Sequence, residues 1–282
     1  MKKLFFLLAI LVAIQSMGQT ASEIWLFDLN LKGAPSVSGG KNITNHPGYD
    51  NQPSFRRGHH EILYSSFRDD GRADLKKYNW KTGKTTDITK TPEREYSPTL
   101  TPDKRWISCI IQRDNNAQDL GKYPVHGGAP EILINHLTVG YHAWLSQNEL
   151  ILFVLGNPHT LRYYNTATKK EMVLFEKPGR SIQRIPGSNK VSVVDKRDAL
   201  HWFIWKIGPD QKPVKVTETI HGVEDIAWTP DGRIISSDGK HFLINDPAKP
   251  NGWIAMQGPE IKGVSRIAIS PDGKKLAAVI SE

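Results

Sequence analysis

The sequence predicts an all-β fold, a six-bladed β-propeller whose blades are four-stranded antiparallel sheets. One phrase, an apolar residue followed by Thr or Ser, Pro, Asp and Gly or Lys, occurs at residues 100–104, 228–232 and 269–273, and three degenerate copies fall between or before these. The apolar residues that open the six copies lie 41 to 45 residues apart, at Phe55, Leu100, Trp144, Ile185, Trp228 and Ile269. Such a period is typical of the blades of a propeller.

Each repeat predicts four short strands, here called a to d from the channel outward. The opening apolar residue ends strand a, and the Pro-Asp-Gly turn follows, because Pro presets φ and Gly tolerates positive φ. A β-rich run such as residues 106–110 then forms strand b. Strand c is marked by a pair of residues three positions apart, mostly apolar or aromatic, and the pairs are Leu75/Tyr78, Leu120/Tyr123, Leu161/Tyr164, Leu200/Phe203 and His241/Ile244. A further short run, such as residues 131–133, gives strand d.

The two ends of the sequence complete one repeat. The sixth copy stops after strand b, whereas residues 24–27 match strand c and residues 41–44 match strand d ahead of the first full repeat. We therefore expect N-terminal strands to close the last blade, which leaves no open sheet edge in the ring.

The first 18 residues have the pattern of a signal peptide. Lys2 and Lys3 precede an eleven-residue apolar run, residues 4–14, and Ser16 and Gly18 supply the small residues of a cleavage site. Eleven residues are too few to span a bilayer as a helix, which needs about 20. We expect an exported protein, periplasmic or secreted, with residues 19–282 as a single propeller domain and no membrane span after cleavage.

Composition excludes several classes of function. The chain has 282 residues and a formal net charge of +8, but acidic residues are interspersed among the basic ones, so no nucleic-acid surface is predicted. Cys109 is the single cysteine, which excludes an internal disulfide and any Cys-x-x-Cys metal or redox motif.

The Pro-Asp-Gly repeats and the segment Tyr64–Leu75 (YSSFRDDGRADL) resemble the TolB-type propeller family, whose b–c hairpins carry a Ser-x-Arg-Asp-Gly-x-x-Asp-Ile-Tyr pattern. The resemblance covers roughly residues 22–282, without the α/β domain that precedes the propeller in TolB. It implies the propeller fold and leaves the function open, because the same repeats occur in peptidase propellers, lyases and binding scaffolds. The Gly-x-Ser-x-Gly motif of the appended peptidase domain is absent from this sequence.

We expect the ligand site at the mouth of the central channel, where the d–a and b–c loops meet. These loops are rich in Asp, Arg, Asn and Tyr, residues that also populate turns and surface ion pairs without any ligand. The expected contacts are Arg68, Asp70, Tyr96, Arg113, Tyr141, His142, Glu224 and Arg266. The opposite face, which carries His59 and His60, is the rival site.

We expect no cofactor, no bound metal and no catalytic residue. The histidines of the third repeat, His136, His142 and His159, form the strongest metal candidate, but their spacing does not ensure that they converge. Acidic residues around the channel leave glycosidase or lyase chemistry open.

The leading interpretation is a monomeric, non-enzymatic binding propeller that recognises a protein, a peptide or an acidic glycan of the cell envelope. The alternative is a carbohydrate-active enzyme, a polysaccharide lyase or glycoside hydrolase, that uses the same mouth. A third reading is a structural propeller that docks through its sides.

Overall fold

The computed structural model describes residues 21–281, which form 24 β-strands arranged as six four-stranded antiparallel sheets. This confirms the all-β, six-bladed propeller. The predicted signal peptide, residues 1–18, lies outside the described residues. Within residues 21–281 no helix is long and apolar enough to cross a bilayer.

The strands follow one another round the ring. The N-terminal strands are β1 (Ser22–Asn30) and β2 (Ser36–Asn42). Blade 1 contains β3 (Asp50–Arg56), β4 (Glu61–Phe67), β5 (Ala73–Asn79) and β6 (Lys84–Asp87). Blade 2 contains β7 (Arg94–Leu100), β8 (Trp106–Gln112), β9 (Gln118–Pro124) and β10 (Glu131–Ile134). Blade 3 contains β11 (Val139–Trp144), β12 (Glu149–Val154), β13 (Thr160–Asn165) and β14 (Glu171–Glu176).

The second half of the chain repeats the pattern. Blade 4 contains β15 (Pro178–Arg184), β16 (Val191–Asp195), β17 (Phe203–Ile207) and β18 (Pro213–Glu218). Blade 5 contains β19 (Ala227–Trp228), β20 (Ile234–Ser237), β21 (Phe242–Asn245) and β22 (Trp253–Ala255). Blade 6 combines β23 (Val264–Ile269) and β24 (Lys275–Ser281) with β1 and β2, in the order β23-β24-β1-β2.

Blade 6 joins the two ends of the chain as the sequence predicts. Strand β1 pairs antiparallel with β24 from Ser22 opposite Ser281 to Asp28 opposite Lys275. Strand d lies earlier than expected, since β2 ends at Asn42. Ile43 follows the strand as a buried residue whose N–H donates to the Ile24 carbonyl.

The strand-c prediction starts too early in blades 4 and 5. In blade 5 the exposed His241 immediately precedes β21, and the difference is larger in blade 4. Leu200 is 68% exposed in the loop before β17, and the strand begins only at Phe203. The b–c loop of blade 4 is longer than its counterparts and contains Asp198, whose carboxylate accepts from the backbone N–H groups of Leu200 and His201. This local turn removes Leu200 from the sheet.

The Pro-Asp-Gly turns share one side-chain hydrogen bond. In each complete copy the Thr or Ser hydroxyl donates to the Asp carboxylate two residues later. The pairs are Thr101–Asp103 at 2.6 Å, Thr229–Asp231 at 2.5 Å and Ser270–Asp272 at 2.6 Å. The residue after Asp has positive φ, which suits Gly232 (+86°) and Gly273 (+69°), whereas the first copy places Lys104 there at +61°.

Trp144 and Trp228, at equivalent positions of the repeat, fill equivalent wedges between blades. Trp144 packs among apolar residues of blades 2 and 3, and Trp228 among those of blades 4 and 5. Each indole also donates a hydrogen bond to a serine on strand b of the preceding blade, Trp144 to Ser108 at 2.9 Å and Trp228 to Ser192 at 2.7 Å. Apolar burial and a buried hydrogen bond therefore both stabilise each tryptophan between its two blades.

We expect Trp144→Ala to lower the free energy of unfolding by about 3–5 kcal/mol, because a large buried ring is replaced by a cavity. Trp144→Phe retains most of the ring but loses the bond to Ser108, so its expected loss is smaller, about 1–2 kcal/mol. Urea denaturation measures both. A loss below about 0.5 kcal/mol for Trp144→Ala, the range of a surface site, would contradict the wedge role.

Two acidic side chains are buried where blade 6 meets blade 1. Asp50 is 1% exposed, and neither of its carboxylate oxygens has a hydrogen-bond partner among the residues described. The imidazole ring of His46 lies beside it, with Nδ1 3.9 Å from Oδ2. Glu23 on β1 is also buried and accepts hydrogen bonds from the Thr44 hydroxyl and the His46 backbone N–H. Burial, reinforced by the charge of Glu23, raises the pKa of Asp50 to about 6.

The closing junction should therefore be less stable when Asp50 is ionised. An aspartate in the unfolded chain titrates near pH 4, so the folded state binds the proton more tightly, and stability falls as pH rises from about 4 to about 6. We expect Asp50→Asn to raise the free energy of unfolding by roughly 1–3 kcal/mol at pH 7 and to change it little at pH 4.

Chemical denaturation at the two pH values measures this difference. Asp69→Asn, at the exposed tip of the b–c loop of blade 1, is the matched control. An Asp50→Asn effect of equal size at both pH values would show that ionisation of Asp50 does not strain the junction.

Candidate functional site: the mouth of the central channel

Six inner strands enclose one central cavity of about 390 Å³. Each inner strand starts at the same end of the channel, the end where the d–a and b–c loops meet, and we call this end the mouth. The mouth residues that line the cavity are Gln52, Ser97, Tyr141, Arg180, Asp225 and Arg266, one from each blade. The fold thus brings together side chains that are far apart in sequence.

One wall of the mouth is a largely buried ion pair between blades 5 and 6. Arg266 Nη1 donates to Asp225 Oδ1 at 2.5 Å, and Nη2 donates to the Tyr141 hydroxyl at 3.1 Å. The guanidinium carbon also lies 5.4 Å from the centre of the Tyr141 ring. Burial disfavours the charge, but Asp225 outweighs it and raises the pKa of Arg266, which stays cationic.

A second arginine stands beside this pair. The backbone N–H and Nε of Arg180 donate to Glu224 at 2.7 Å and 2.8 Å, and Lys196 Nζ lies 3.6 Å from the same carboxylate. Burial favours protonation of Glu224, but the bonds from Arg180 and the nearby Lys196 lower its pKa, so it is ionised. Gly179 permits this approach, since a Cβ there would lie 2.7 Å from Glu224 Oε2 and 2.9 Å from Val194 Cβ.

The Arg180 side chain remains half exposed, and neither Nη1 nor Nη2 forms a hydrogen bond within residues 21–281. It therefore presents donors to the channel, whereas the Arg266 guanidinium is committed to Asp225 and Tyr141.

A cluster of aromatic side chains lies at the mouth behind the residues that line the cavity. The rings of Tyr49 and Tyr96 pack against Phe67 at centroid distances of 4.9 Å and 6.3 Å. Burial, assisted by Tyr141, raises the pKa of Tyr49, and the charges of Arg266 and Arg180 only partly oppose this effect. The Tyr49 and Tyr96 hydroxyls therefore keep their protons at neutral pH and can donate hydrogen bonds.

His142 lies deeper in the channel wall and is 6% exposed. Its Nε2 is 2.7 Å from Ser108 Oγ, which also accepts from Trp144 and lies 3.1 Å from the Thr99 carbonyl. Nδ1 has no partner among the residues described. Burial lowers the pKa of His142 to about 4, so the ring is neutral and works as part of the packed wall.

The predicted contact residues fall into two groups. Tyr141, His142 and Arg266 line the cavity, while Tyr96 and Glu224 lie directly behind its lining. Arg68, Asp70 and Arg113 lie on b–c loops at the outer rim and do not line the cavity.

Ion pairs on the rim engage these outer residues. Arg68 Nε binds Asp70 at 3.2 Å, and its Nη1 lies 3.3 Å from Asp74. Arg113 bridges Asp119 at 2.9 Å and Glu93 at 3.0 Å. Carboxylates therefore neutralise Arg68 and Arg113 on the rim, and these arginines offer fewer free N–H donors to a ligand than Arg180 does.

The site also contains residues outside the predicted set, namely Tyr49, Gln52, Arg180 and Asp225. Gln52, Arg180 and Asp225 line the cavity, and Tyr49 lies behind the lining. Each belongs to a segment at the start of an inner strand, as the predicted Tyr96, Tyr141 and Arg266 do, so the repeat alignment carried the signal. Loop composition alone did not separate the side chains that point into the channel from those that pair on the rim.

The three candidate histidines have separate partners. His136 pairs with Glu171 at 3.3 Å, His142 with Ser108, and His159 accepts from the Gly156 backbone N–H at 3.2 Å. Within residues 21–281 no three His, Cys, Asp or Glu side chains are grouped so that they could hold a metal ion.

The sequence matches no protein-family model and none of the curated proteins compared with it. Solved structures do match. A protein assigned as TolB from Agrobacterium tumefaciens superposes with a TM-score of 0.70 at 14% identity, over 94% of this chain and 99% of that chain. TolB from Acinetobacter baumannii gives 0.58 at 13% identity, over 93% of this chain and 64% of that chain.

An oligogalacturonate lyase in complex with manganese also matches, with a TM-score of 0.54 at 12% identity over 94% of this chain and 99% of that chain. At identities this low the superpositions show a likeness of fold alone, and a fold does not assign function.

Proposed function

We propose that this chain is an exported, non-enzymatic binding propeller of TolB type that takes a carboxylate-bearing segment of an envelope partner into the mouth of its channel. The partner is a protein, an acidic peptide or an acidic glycan. The observation that carries the proposal is the half-exposed Arg180 guanidinium, held in place by Glu224 at the entrance of a cavity that six blades share.

The charge balance of the mouth favours an anionic group. Arg180, Lys196 and Arg266 face the two carboxylates Glu224 and Asp225, so one positive charge is left over. A guanidinium with free Nη donors matches the two oxygens of a carboxylate, and its interaction strengthens where water is partly excluded.

Aromatic surface beside the charge suits a polar ligand with an apolar or ring-shaped body. The Tyr141 ring lines the cavity and supplies flat contact area with little conformational entropy to lose, and Tyr49 and Tyr96 lie behind the lining with hydroxyls that keep their protons. Side chains of acidic peptides and the rings of uronic acids both meet this description.

Export and family membership are part of the same proposal. The signal-peptide pattern of residues 1–18 and the TolB-like repeats support an envelope location, and the structural likeness to two TolB propellers is consistent with them.

The alternative function is a carbohydrate-active enzyme, and the likeness to an oligogalacturonate lyase is what favours it. The geometry of the mouth supports it less well. Both mouth carboxylates are bound by arginines, and the neutral His142 is packed in the wall. A general acid or base must lie within hydrogen-bond reach of the substrate and have a pKa near the working pH.

Binding by the mature protein tests the proposal. Biolayer interferometry against immobilised poly-glutamate and polygalacturonate should show salt-sensitive binding to at least one, with neutral dextran as the blank. Arg180→Gln should weaken that binding about tenfold, since it removes one charge-assisted contact worth about 1.4 kcal/mol.

Arg105→Gln is the matched control, because Arg105 is 79% exposed on the opposite face and pairs only with Asp103. Equal affinities of Arg180→Gln and the unmodified protein would exclude the mouth as the binding site. Release of unsaturated or reducing ends from polygalacturonate, lost in Arg180→Gln, would favour the enzyme instead.

A further inference from the structure

The channel has a second charged end, on the face of the a–b turns. There the cavity is lined by Arg57 after β3, Lys104 in the first Pro-Asp turn and Arg184 at the end of β15. These cations come from blades 1, 2 and 4, and we call them the far-end cluster. It lies at the opposite end of the inner strands from Tyr141 and Arg266.

The far-end cluster is exceptional in its lack of counter-charge. Eleven of the thirteen arginines have a carboxylate oxygen within 4.0 Å. They are Arg56, Arg68, Arg72, Arg94, Arg105, Arg113, Arg162, Arg180, Arg197, Arg233 and Arg266. The two others are Arg57 and Arg184. Among residues 21–281, Lys104 has no carboxylate partner within that distance either.

Arg184 is held rigidly although no carboxylate binds it. Nη1 donates to the carbonyls of Trp144 and Leu145 at 2.9 Å and 3.0 Å, and Nη2 donates to the Ser188 carbonyl at 3.0 Å. These three bonds fix the guanidinium plane between blades 3 and 4, and they leave Nε–H and one Nη2–H without a partner in the described chain. A preorganised cation with free donors is the usual anchor of an oxyanion site.

The acidic residues of the neighbouring turns are engaged elsewhere. Asp103 accepts from Thr101 and Arg105, and Asp231 accepts from Thr229 and Arg233. Each turn carboxylate therefore stabilises its own turn, and none compensates the far-end cluster.

The like charges destabilise one another. Burial and the charge of Arg57 lower the pKa of the Arg184 guanidinium. Lys104 adds backbone strain, because its φ of +61° is the conformation that glycine adopts in the corresponding turns. Arg57 and Lys104 are exposed, so a ligand can reach them from solvent.

We propose that the far-end cluster binds a tetrahedral oxyanion, a phosphate or sulfate group, at the end of the channel opposite the mouth. Three cations from three blades approach the channel axis from different directions. A tetrahedral anion offers oxygens in as many directions, whereas a carboxylate offers two oxygens in one plane. The site is separate from the mouth and does not depend on its proposed ligand.

Phosphate itself is the probe. At constant ionic strength maintained with chloride, inorganic phosphate should bind in titration calorimetry and raise the melting temperature of the unmodified protein. Arg57→Gln should weaken phosphate binding about tenfold. It should also raise the melting temperature in chloride alone, because it removes a like charge from beside Arg184.

Lys104→Gln should also weaken phosphate binding. Lys104→Gly should weaken it as well, and it should relieve the backbone strain of the turn. Arg105→Gln, one residue away with the same change of charge, should bind phosphate as the unmodified protein does. Arg180→Gln should also leave phosphate binding unchanged, which separates this site from the mouth.

Glycerol phosphate and acetate complete the test. Binding of glycerol phosphate as tight as that of phosphate identifies an ester-borne group as ligand, and binding of phosphate alone identifies the free ion. Equal binding of acetate would overturn the tetrahedral class. Absence of phosphate binding, or equal weakening by Arg57→Gln and Arg105→Gln, would overturn the site.

Discussion

Pairing between β1 and β24 connects the start of the described chain to its end within one sheet, and the geometry of the channel depends on it. Seven residue pairs align across this seam, from Ser22–Ser281 to Asp28–Lys275. Without the seam, blade 6 would have two strands and the ring an open edge. Closure also fixes the angle at which the six inner strands meet, and so the positions of all side chains that they carry into the channel.

The seam comes with a buried acidic junction. Asp50 and Glu23 lie where the closing blade meets blade 1, and within residues 21–281 the Asp50 carboxylate oxygens have no hydrogen-bond partner. The equivalent junction between blades 1 and 2 is better satisfied, since Glu95 accepts from Thr89, Thr91 and Tyr123. The same position of the repeat therefore holds a hydrogen-bonded carboxylate in one blade and an unsatisfied carboxylate in another. The donors around it decide whether its ionisation lowers the stability of the junction.

Charge is distributed differently at the two ends of the channel. At the mouth, Arg266 and Arg180 each hold a carboxylate of blade 5, which rigidifies the wall and leaves only part of Arg180 available. At the far end, backbone carbonyls hold Arg184, so its full positive charge remains. Carbonyl ligation orients a guanidinium without neutralising it, which is the physical difference between a structural arginine and one that is poised for an anion.

The sequence by itself determined the fold, because a propeller is built from local signals that recur. The Thr/Ser-Pro-Asp turns, the 41–45-residue spacing and the matching terminal half-repeats predict six blades and the shared last blade, and the structure has both. Trp144 and Trp228 could be assigned to wedges for the same reason, since their position in the repeat sets their burial.

The candidate site could be predicted only to the level of the channel end. The sequence shows which segments lie at this end, but Arg113 and Arg68, on b–c loops, occupy rim ion pairs, while Arg180, near the start of inner strand β15, lines the channel. Whether a charged side chain is free or paired depends on contacts such as Arg184 with Trp144 and Leu145, some 40 residues away in sequence. Tertiary structure decides these pairings, because the partners meet only after the ring has closed.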